Sequence, residues 1–589
     1  MILNQSQLDN KIAFVKNYIG ASNAASGSKF DANANVSSKN VATLAAEIHK
    51  DINIQIKRAI VTQKISEMFG VELAAEYNRQ IQDKEIYVHD ESNILLPYCV
   101  SISMYPLLTD GLKSLGGDSG PPSHLSSFCG SFVNLMFAIS SQFAGAVAAV
   151  ELLLYFNQFA VKDYGENYLE THTKEIENHL QHIVYALNQP AAARSFQSVF
   201  WNTSIFDRYY FDSMFEGFAF PDGSRPAFES VNKLQKFFIK WFNKEREKAV
   251  LTFPVITAAI LSEGDEPKDV EFSNFLAGEL AEGNSFFIYS SDTADSLSSC
   301  CRLKSKIQKN TFQTSLGAGG VATGSINVIT LNMNRLIQKN LILSEQVMKI
   351  HKYQVAYREL MKGMIKDGML PVYTSGFITL DKQYSTIGIN GMVEASEYIG
   401  IKPSNNAEYK EWVSAQLKTI NKLNKVASLE YGCMFNTEFV PAENLGVKFS
   451  KWDKEDGLVV PRDCYNSYFY PVEDDSINAL DKFILHGREM TEFLDGGSAL
   501  HLNLEQYLTK DQYFKLIGIA IKTGCNYFCT NVKITVCEDC GHINKKTECH
   551  CVKCRSKNVS HATRIIGYLK KITSWSGARK TEEKKRFYH

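Results

Sequence analysis

The sequence carries no excess of charge of either sign: 63 Lys and Arg stand against 64 Asp and Glu, leaving a net charge of −1 and a pI near 6.9. That balance excludes a global attraction to nucleic acid or to an anionic membrane, so any recognition of phosphate must be local. Also missing is a basic segment followed by a continuous apolar core, because the chain opens "MILNQSQLDNKIAF"; no secretory signal is expected. The one long apolar run, residues 131–160, is interrupted by Asn134, by Ser140, Ser141 and Gln142, and by Glu151. It reads as buried helix rather than a membrane span. There is no 20–50-residue repeat, and the charged tail from Gly577 is the only biased segment. Without export a reducing cytoplasm is the expected compartment. The 13 cysteines are then metal ligands, reactive thiols or core residues.

What is present is a chain of 589 residues with 44% hydrophobic and 22% charged residues, the texture of a soluble globular protein. Length allows roughly three to four domains, or one large barrel with additions. Residues 1 to about 38 are polar and rich in Ser, Asn and Ala. The stretch "VATLAAEIHKDINIQIKRAIVTQKISEMFG" then spaces apolar residues at helical intervals. "EIYVHDESNILLPYCVSISMYPLL" mixes strand and loop character, residues 130–250 read mostly as long helices, and residues 250–375 turn to short apolar runs with Gly-rich turns. Alternation of strands and helices through residue 530 favours an α/β architecture.

The strongest motif is "VCEDCGHINKKTECHCVKCRS". Cys537 and Cys540, then Cys551 and Cys554, form two C-x2-C knuckles able to close a tetrahedral Zn2+ site. Gly541 suits the knuckle turn, the segment is too small for its own core, and Cys549, His542 and His550 are the lesser ligand candidates. A closed four-sulfur site is structural and names no reaction. Local lysines keep nucleic-acid binding open as a minority reading, although no aromatic stacking platform accompanies them. "SLSSCCRLKS" carries adjacent Cys300 and Cys301 in a polar setting that argues for a loop. "GAGGVATGS" lacks the following Lys-Ser or Lys-Thr and is not a P-loop. Cys99, read alone, is a core cysteine, and "DGGSALH" (Asp495–His501) is a phosphate-contacting turn or simply a loop. In "RIIGYLKK", Gly567 interrupts a short strand and, read alone, marks a bulge.

Taken together, the ordered segments "ANANVSSKNVATLAAEIHK", "YVHDESNILLPYCVSISMYPLL", "HLSSFCGSFVNLMFAISSQFAGA", "SSCCRL", "PAENLGVK", "PRDCYNSYFYP", "DGGSALHLNL", "TGCNYF", the four-cysteine ribbon and "RIIGYL" resemble anaerobic (class III) ribonucleoside-triphosphate reductases of bacteria and their phages, which are glycyl radical enzymes. The resemblance implies a ten-stranded α/β barrel of two five-stranded parallel halves with a finger loop. It implies an N-terminal helical segment over residues 1–85, the catalytic barrel over 86–530, a zinc ribbon over 531–560, and a glycyl radical loop with tail over 561–589. Carried over to this chain, Gly567 would store the radical and Cys301 would become the transient thiyl that removes the ribose 3′ hydrogen. Cys99 would return a hydrogen atom as the 2′ hydroxyl leaves as water, and Ser325 or Asn327 would contact the ribose. Cys537, Cys540, Cys551 and Cys554 would hold the zinc. Implied with these are formate as reductant, the alternative being a redoxin with an extra cysteine for which Cys129 and Cys464 do not decide. Control of substrate choice by dNTP or ATP, a homodimer, and a radical-SAM activase using S-adenosylmethionine and a [4Fe–4S] cluster are implied too. The family's ATP cone has no counterpart before "ANANVSSKNV", so cone-based control of overall activity is not expected. No membrane or direct nucleic-acid partner is expected, and the location is cytoplasmic, that of the host if phage-encoded. The competing readings are a pyruvate formate-lyase-like acyltransferase, opposed by the ribbon and by Cys99, and a non-catalytic zinc-ribbon protein.

Overall fold

The computed structural model describes residues 3–30, 35–36, 38–190, 197–294, 296–299, 303–306, 322–440, 444–565 and 567–589. Ten strands form one closed wall. In chain order they are β1 (Cys99–Ser101), β2 (Val147–Ala148), β3 (Trp201–Phe206), β4 (Val255–Glu263), β5 (Phe287–Ser291), β6 (Thr323–Asn332), β7 (Gln383–Asn390), β8 (Met434–Phe439), β9 (Leu500–Leu504) and β10 (Tyr527–Val532). Around the wall the order is β8-β7-β6-β1-β2-β3-β4-β5-β10-β9. Strands β1 to β5 run parallel to one another, as do β6, β7 and β8, and β9 with β10. The two halves meet antiparallel, β6 on β1 and β10 on β5. The expected barrel of two five-stranded parallel halves is therefore the observed one.

Closure falls on the Gly-Gly turn that the sequence left ambiguous. Gly496 N–H donates to the Thr437 carbonyl (2.8 Å), Phe439 N–H donates to the Gly497 carbonyl (3.2 Å), and Glu438 bridges Gly497 in parallel. Strand β8 thus joins the lead into β9. A Cβ on Gly496 would sit 2.7 Å from the Thr437 carbonyl oxygen, so backbone meets backbone only because no side chain intervenes. Parallel strands covered on both faces read as continuous apolar runs rather than alternating ones. Strand β4, "VITAAILSE", is buried over its first seven residues, and β6 is buried throughout.

Helices cross between the parallel strands. The sequence starts and stops them locally: Asn406 caps Ala407–Tyr431, which ends at Gly432 with φ +62°, and Thr509 closes a capping box on Lys510–Thr523. The apolar run 131–160 is not one helix. Helix Leu125–Ser140 stops where Ser140 and Ser141 hydroxyls bond back to the Phe137 and Ala138 carbonyls. Strand β2 follows, and helix Leu152–Tyr164 begins beyond it. The polar N-terminus is helical over Gln5–Gly20, started by a capping box between Asn4 and Gln7. Among the described residues no helix is long and apolar enough to cross a membrane.

Candidate active site and metal centre

Beyond β10 the chain builds a small antiparallel sheet from β11 (Ile534–Cys537), β12 (Ile543–Asn544), β13 (Val559–Arg564) and β14 (Leu569–Lys571), in the order β12-β11-β13-β14. Strands β13 and β14 pair Arg564 with Leu569, and Ile565 N–H donates to the Tyr568 carbonyl (3.1 Å). Gly567 therefore lies in the turn of a hairpin, not at a bulge within one strand. Its φ of +75° is a left-handed conformation that glycine adopts without strain, and the residue is buried.

Three layers hold this turn. Arg564 Nη1 donates to the Gly567 carbonyl (2.8 Å), Nη2 donates to Ser285 Oγ (2.8 Å), and the guanidinium lies 4.7 Å from the Phe287 ring centroid. Arg586 donates to the Arg564 and Ile565 carbonyls and pairs with buried Glu582 over 2.8 Å. Its guanidinium also lies over the fully buried Trp575. The Tyr568 ring meets Phe200 at 5.4 Å and Phe253 at 5.9 Å, the residues just before β3 and β4. The charged tail is thus packed: helix Gly577–Lys585 buries Arg579, Glu582 and Glu583. Phe587 N–H then donates to the Val472 carbonyl, and His589 N–H to the Asn503 carbonyl.

Cys99 sits at the beginning of β1. Register runs Val100 to Val147 to Trp201 and Asn202 to Val255, so the first four strands begin at one end of the parallel half. The residues that receive Tyr568 lie at that same end. Cys99 is buried, pairs with Ser325 of β6, and its thiol is pushed up to about 12 by burial, with Glu438 and Asp90 raising it further. It is a neutral S–H at physiological pH.

Alternation along the strands identifies what else faces the lumen. Trp201 packs on Phe132 of an outer helix (5.8 Å), so Asn202 and Ser204 face the other way. Phe435 packs on His351 (4.6 Å) and Thr437 accepts from Asn424 (2.8 Å), both on outer helices, so Asn436 and Glu438 face inward. Ser325 and Thr386 hydroxyls lie 2.7 Å apart, and the β6–β7 register shifts between Ser325 and Asn327. Both amide atoms of Asn202 and of Asn436, the Ser204 hydroxyl and Asn327 Oδ1 are buried without a partner among the described residues. Unpartnered buried amides are groups that a polar ligand would satisfy. The resemblance points to Cys99 and to Ser325 or Asn327 on this wall; Asn202, Asn436 and Glu438, which share it, were not singled out from the sequence. Their only signal is a run of three polar residues between apolar ones, "NTS" in β3 and "NTE" in β8.

Between β5 and β6 a hairpin pairs Ser296–Ser299 with Leu303–Lys306 and touches β3, β4, β5 and β6, strands of both halves. Leu297 is buried there. The positions joining its strands, Cys300, Cys301 and Arg302, lie outside the described residues, as does most of "GAGGVATGS". Of the remaining cysteines, Cys129 is buried within helix Leu125–Ser140 and Cys464 is buried with its thiol on the Tyr465 carbonyl, 3.7 Å away.

The four ribbon cysteines converge: all their Sγ atoms lie within 4.8 Å of one another, with Cys537–Cys554 and Cys540–Cys551 each at 3.6 Å. A tetrahedral Zn2+ with Zn–S near 2.3 Å separates its sulfurs by about 3.8 Å, so the set fits that ion. Both knuckles take the same form, with Gly541 (φ +71°) and Arg555 (φ +61°) left-handed after the second cysteine of each pair. Cys549, His542 and His550 are not in the cluster.

The sequence model of anaerobic ribonucleoside-triphosphate reductases matches residues 46–589. A solved anaerobic ribonucleotide reductase is 28% identical, with a TM-score of 0.86 over 99% of this chain and 93% of its own. The Thermotoga maritima anaerobic ribonucleotide reductase with dATP in its specificity site is 29% identical (TM-score 0.84, 96% and 94% covered). The same enzyme with dATP and CTP is 30% identical (TM-score 0.82, 93% and 92% covered). Comparison with curated protein sequences gives no match. A family match over nearly the whole chain, on a barrel whose wall carries Cys99 and whose end receives the Gly567 turn, has one reading: the chain belongs to the anaerobic ribonucleoside-triphosphate reductase family, glycyl radical enzymes that reduce ribonucleoside triphosphates.

Proposed function

We propose that this chain stores its radical on Gly567, generates a thiyl on Cys301, and uses Cys99 as the second hydrogen donor, with formate as the reductant. The observation that carries the reading is the burial of the Gly567 turn at the end of the barrel where β1 begins with Cys99. A Cα radical is stabilised by delocalisation into both flanking amides, which flattens the centre, and glycine alone brings no side chain to oppose that. The Gly567 radical takes the hydrogen atom of the Cys301 thiol, and the resulting thiyl takes the 3′ hydrogen of the ribose. The 2′ hydroxyl leaves as water with the 3′ hydroxyl proton, and the neutral Cys99 thiol gives a hydrogen atom to C2′. Formate returns a hydrogen atom to the Cys99 sulfur and, becoming CO2, gives its second electron to the 3′ ketone, which takes up a proton. The Cys301 thiol then returns its hydrogen atom to C3′. Overall, one nucleoside triphosphate and one formic acid give one deoxynucleoside triphosphate, one CO2 and one water.

The lumenal amides of Asn202 and Asn436, with Ser325 and Asn327, would hold the ribose and its neighbours. Cys537, Cys540, Cys551 and Cys554 would hold Zn2+, which cross-links the loops of the sheet that carries the hairpin. The reading divides the chain into a helical segment (1–85), the barrel (86–530), the ribbon (531–560) and the radical loop with tail (561–589). A radical-SAM activase, a homodimer, dNTP or ATP effectors and a cytoplasmic setting complete it.

The test is anaerobic turnover of CTP with labelled formate after treatment with activase and S-adenosylmethionine. The reading predicts labelled CO2 and dCTP in equal amounts. Cys301→Ala and Cys99→Ala should keep the glycyl signal and lose dCTP. Turnover that needs a redoxin and leaves formate unconsumed removes the reductant assignment; acyl exchange from pyruvate without dCTP removes the reductase reading.

A further inference from the structure

We propose that a small monoanion, a halide, nitrate or one-carbon carboxylate, binds between Arg246 and Arg564 beneath the hairpin that carries Gly567. A cavity of about 40 Å³ lies there, lined by both arginines together with Ser285, Tyr507, Asn531 and Thr563. The two guanidinium groups grip one residue from two sides. Arg246 Nη1 donates to the Ser285 carbonyl (2.7 Å) and Arg564 Nη2 donates to the Ser285 hydroxyl (2.8 Å). Both side chains are buried, and both Nε–H donors are buried without an acceptor among the described residues.

No carboxylate pairs with either arginine among the described residues. The nearby Lys545 is already neutralised by Glu247 at 2.8 Å. Aromatic faces take up part of the charge, Phe242 under Arg246 (4.3 Å) and Phe287 under Arg564 (4.7 Å), but they do not cancel it. Burial and the neighbouring Arg564 charge push Arg246 down to about 9, the direction that an uncompensated cationic pair dictates. Two buried like charges with idle N–H donors around a void are the chemistry that recognises an anion. The volume admits an ion of one to four heavy atoms and excludes a nucleotide phosphate chain.

The consequence is a link between the anion and the docking of the hairpin, because Arg564 also holds the Gly567 carbonyl. That consequence rests on the reading of Gly567 as the radical site; the binding itself does not. Thermal unfolding of the full-length protein, titrated with sodium bromide against sodium gluconate at constant ionic strength, tests it. Bromide should raise Tm saturably and gluconate should not, and Arg246→Gln should weaken the apparent affinity roughly tenfold or more. Wild-type crystals soaked in bromide should show an anomalous peak between the two guanidinium groups, which decides the matter even if Arg246→Gln does not fold. Superimposable bromide and gluconate curves, an unchanged response in Arg246→Gln, or a peak elsewhere overturns the site. A peak without a saturable shift marks an adventitious ion only and overturns it equally.

Discussion

Arg564 donates from Nη1 to the carbonyl oxygen of Gly567 over 2.8 Å, and so fixes the turn from inside the hairpin's own strand. Arg586 repeats the device one step out, on the carbonyls of Arg564 and Ile565. Arg586→Met breaks a buried pair with Glu582 and frees two carbonyls, at a cost of about 3 kcal/mol or more. The expected outcome is a lower Tm and a reduced yield of glycyl signal per chain, measured by differential scanning calorimetry and by EPR spin counting. An unchanged Tm would mean that the tail does not lock the turn.

Barrel closure depends on the absence of a side chain at position 496. Gly496→Ala drives a Cβ to 2.7 Å from the Thr437 oxygen and 2.9 Å from the Glu438 Cβ, backbone and a buried strand that have little room to give. Destabilisation of about 1–3 kcal/mol is expected in urea unfolding. Ser498→Ala, two residues on, is the matched control.

The ribbon should hold one Zn2+ per chain. Cys540→Ser is expected to lower the zinc content well below that of wild type by elemental analysis and to raise amide exchange across β11, β12 and β13. Exchange in β3 and β4 should stay as it was. Full zinc content in the variant would show that another residue completes the site.

Glu151 gives a pH prediction. It is fully buried, Met104 N–H donates to its Oε2 (2.9 Å), and burial raises its folded value from 4.5 to about 8. The unfolded chain ionises first, so between pH 4.5 and 8 it binds fewer protons than the folded chain, and stability falls as pH rises. Glu151→Gln keeps the shape of the protonated acid and removes that loss, a gain of about 3 kcal/mol at pH 7 that vanishes near pH 4. Urea midpoints of both proteins at the two pH values measure it; a gain that is equal at both values would contradict the account.

An α/β architecture was legible where local signals and order along the chain agreed, and the ten-stranded barrel followed only from the family resemblance. Capped helices such as Ala407–Tyr431 alternate with short apolar strands, and the paired C-x2-C knuckles predict the sulfur cluster that is observed. Strand β2 was hidden, because two buried residues between apolar helices show no period of their own. Gly496 reads as a loop residue because the backbone it meets, at Thr437, is distant in sequence. Gly567 reads as a bulge because nothing local shows that the strands on either side of it fold back as a hairpin. The tail from Gly577 reads only as a charged, biased segment, since nothing local reveals that Glu582 and Arg586 neutralise each other inside the fold. Asn202 and Asn436 escape motif reading altogether: each opens a run of three polar residues, "NTS" and "NTE", inside a buried strand, and such a run reads locally as loop or surface.

The central claim is that Gly567 is the radical reservoir, and EPR of Gly567→Ala against wild type tests it most directly. Both proteins are treated anaerobically with activase and S-adenosylmethionine. Alanine in a left-handed turn costs about 1 kcal/mol, so the variant should remain folded by circular dichroism. The account predicts a glycyl doublet in the wild type and none in the folded variant. An undiminished doublet in Gly567→Ala would contradict it.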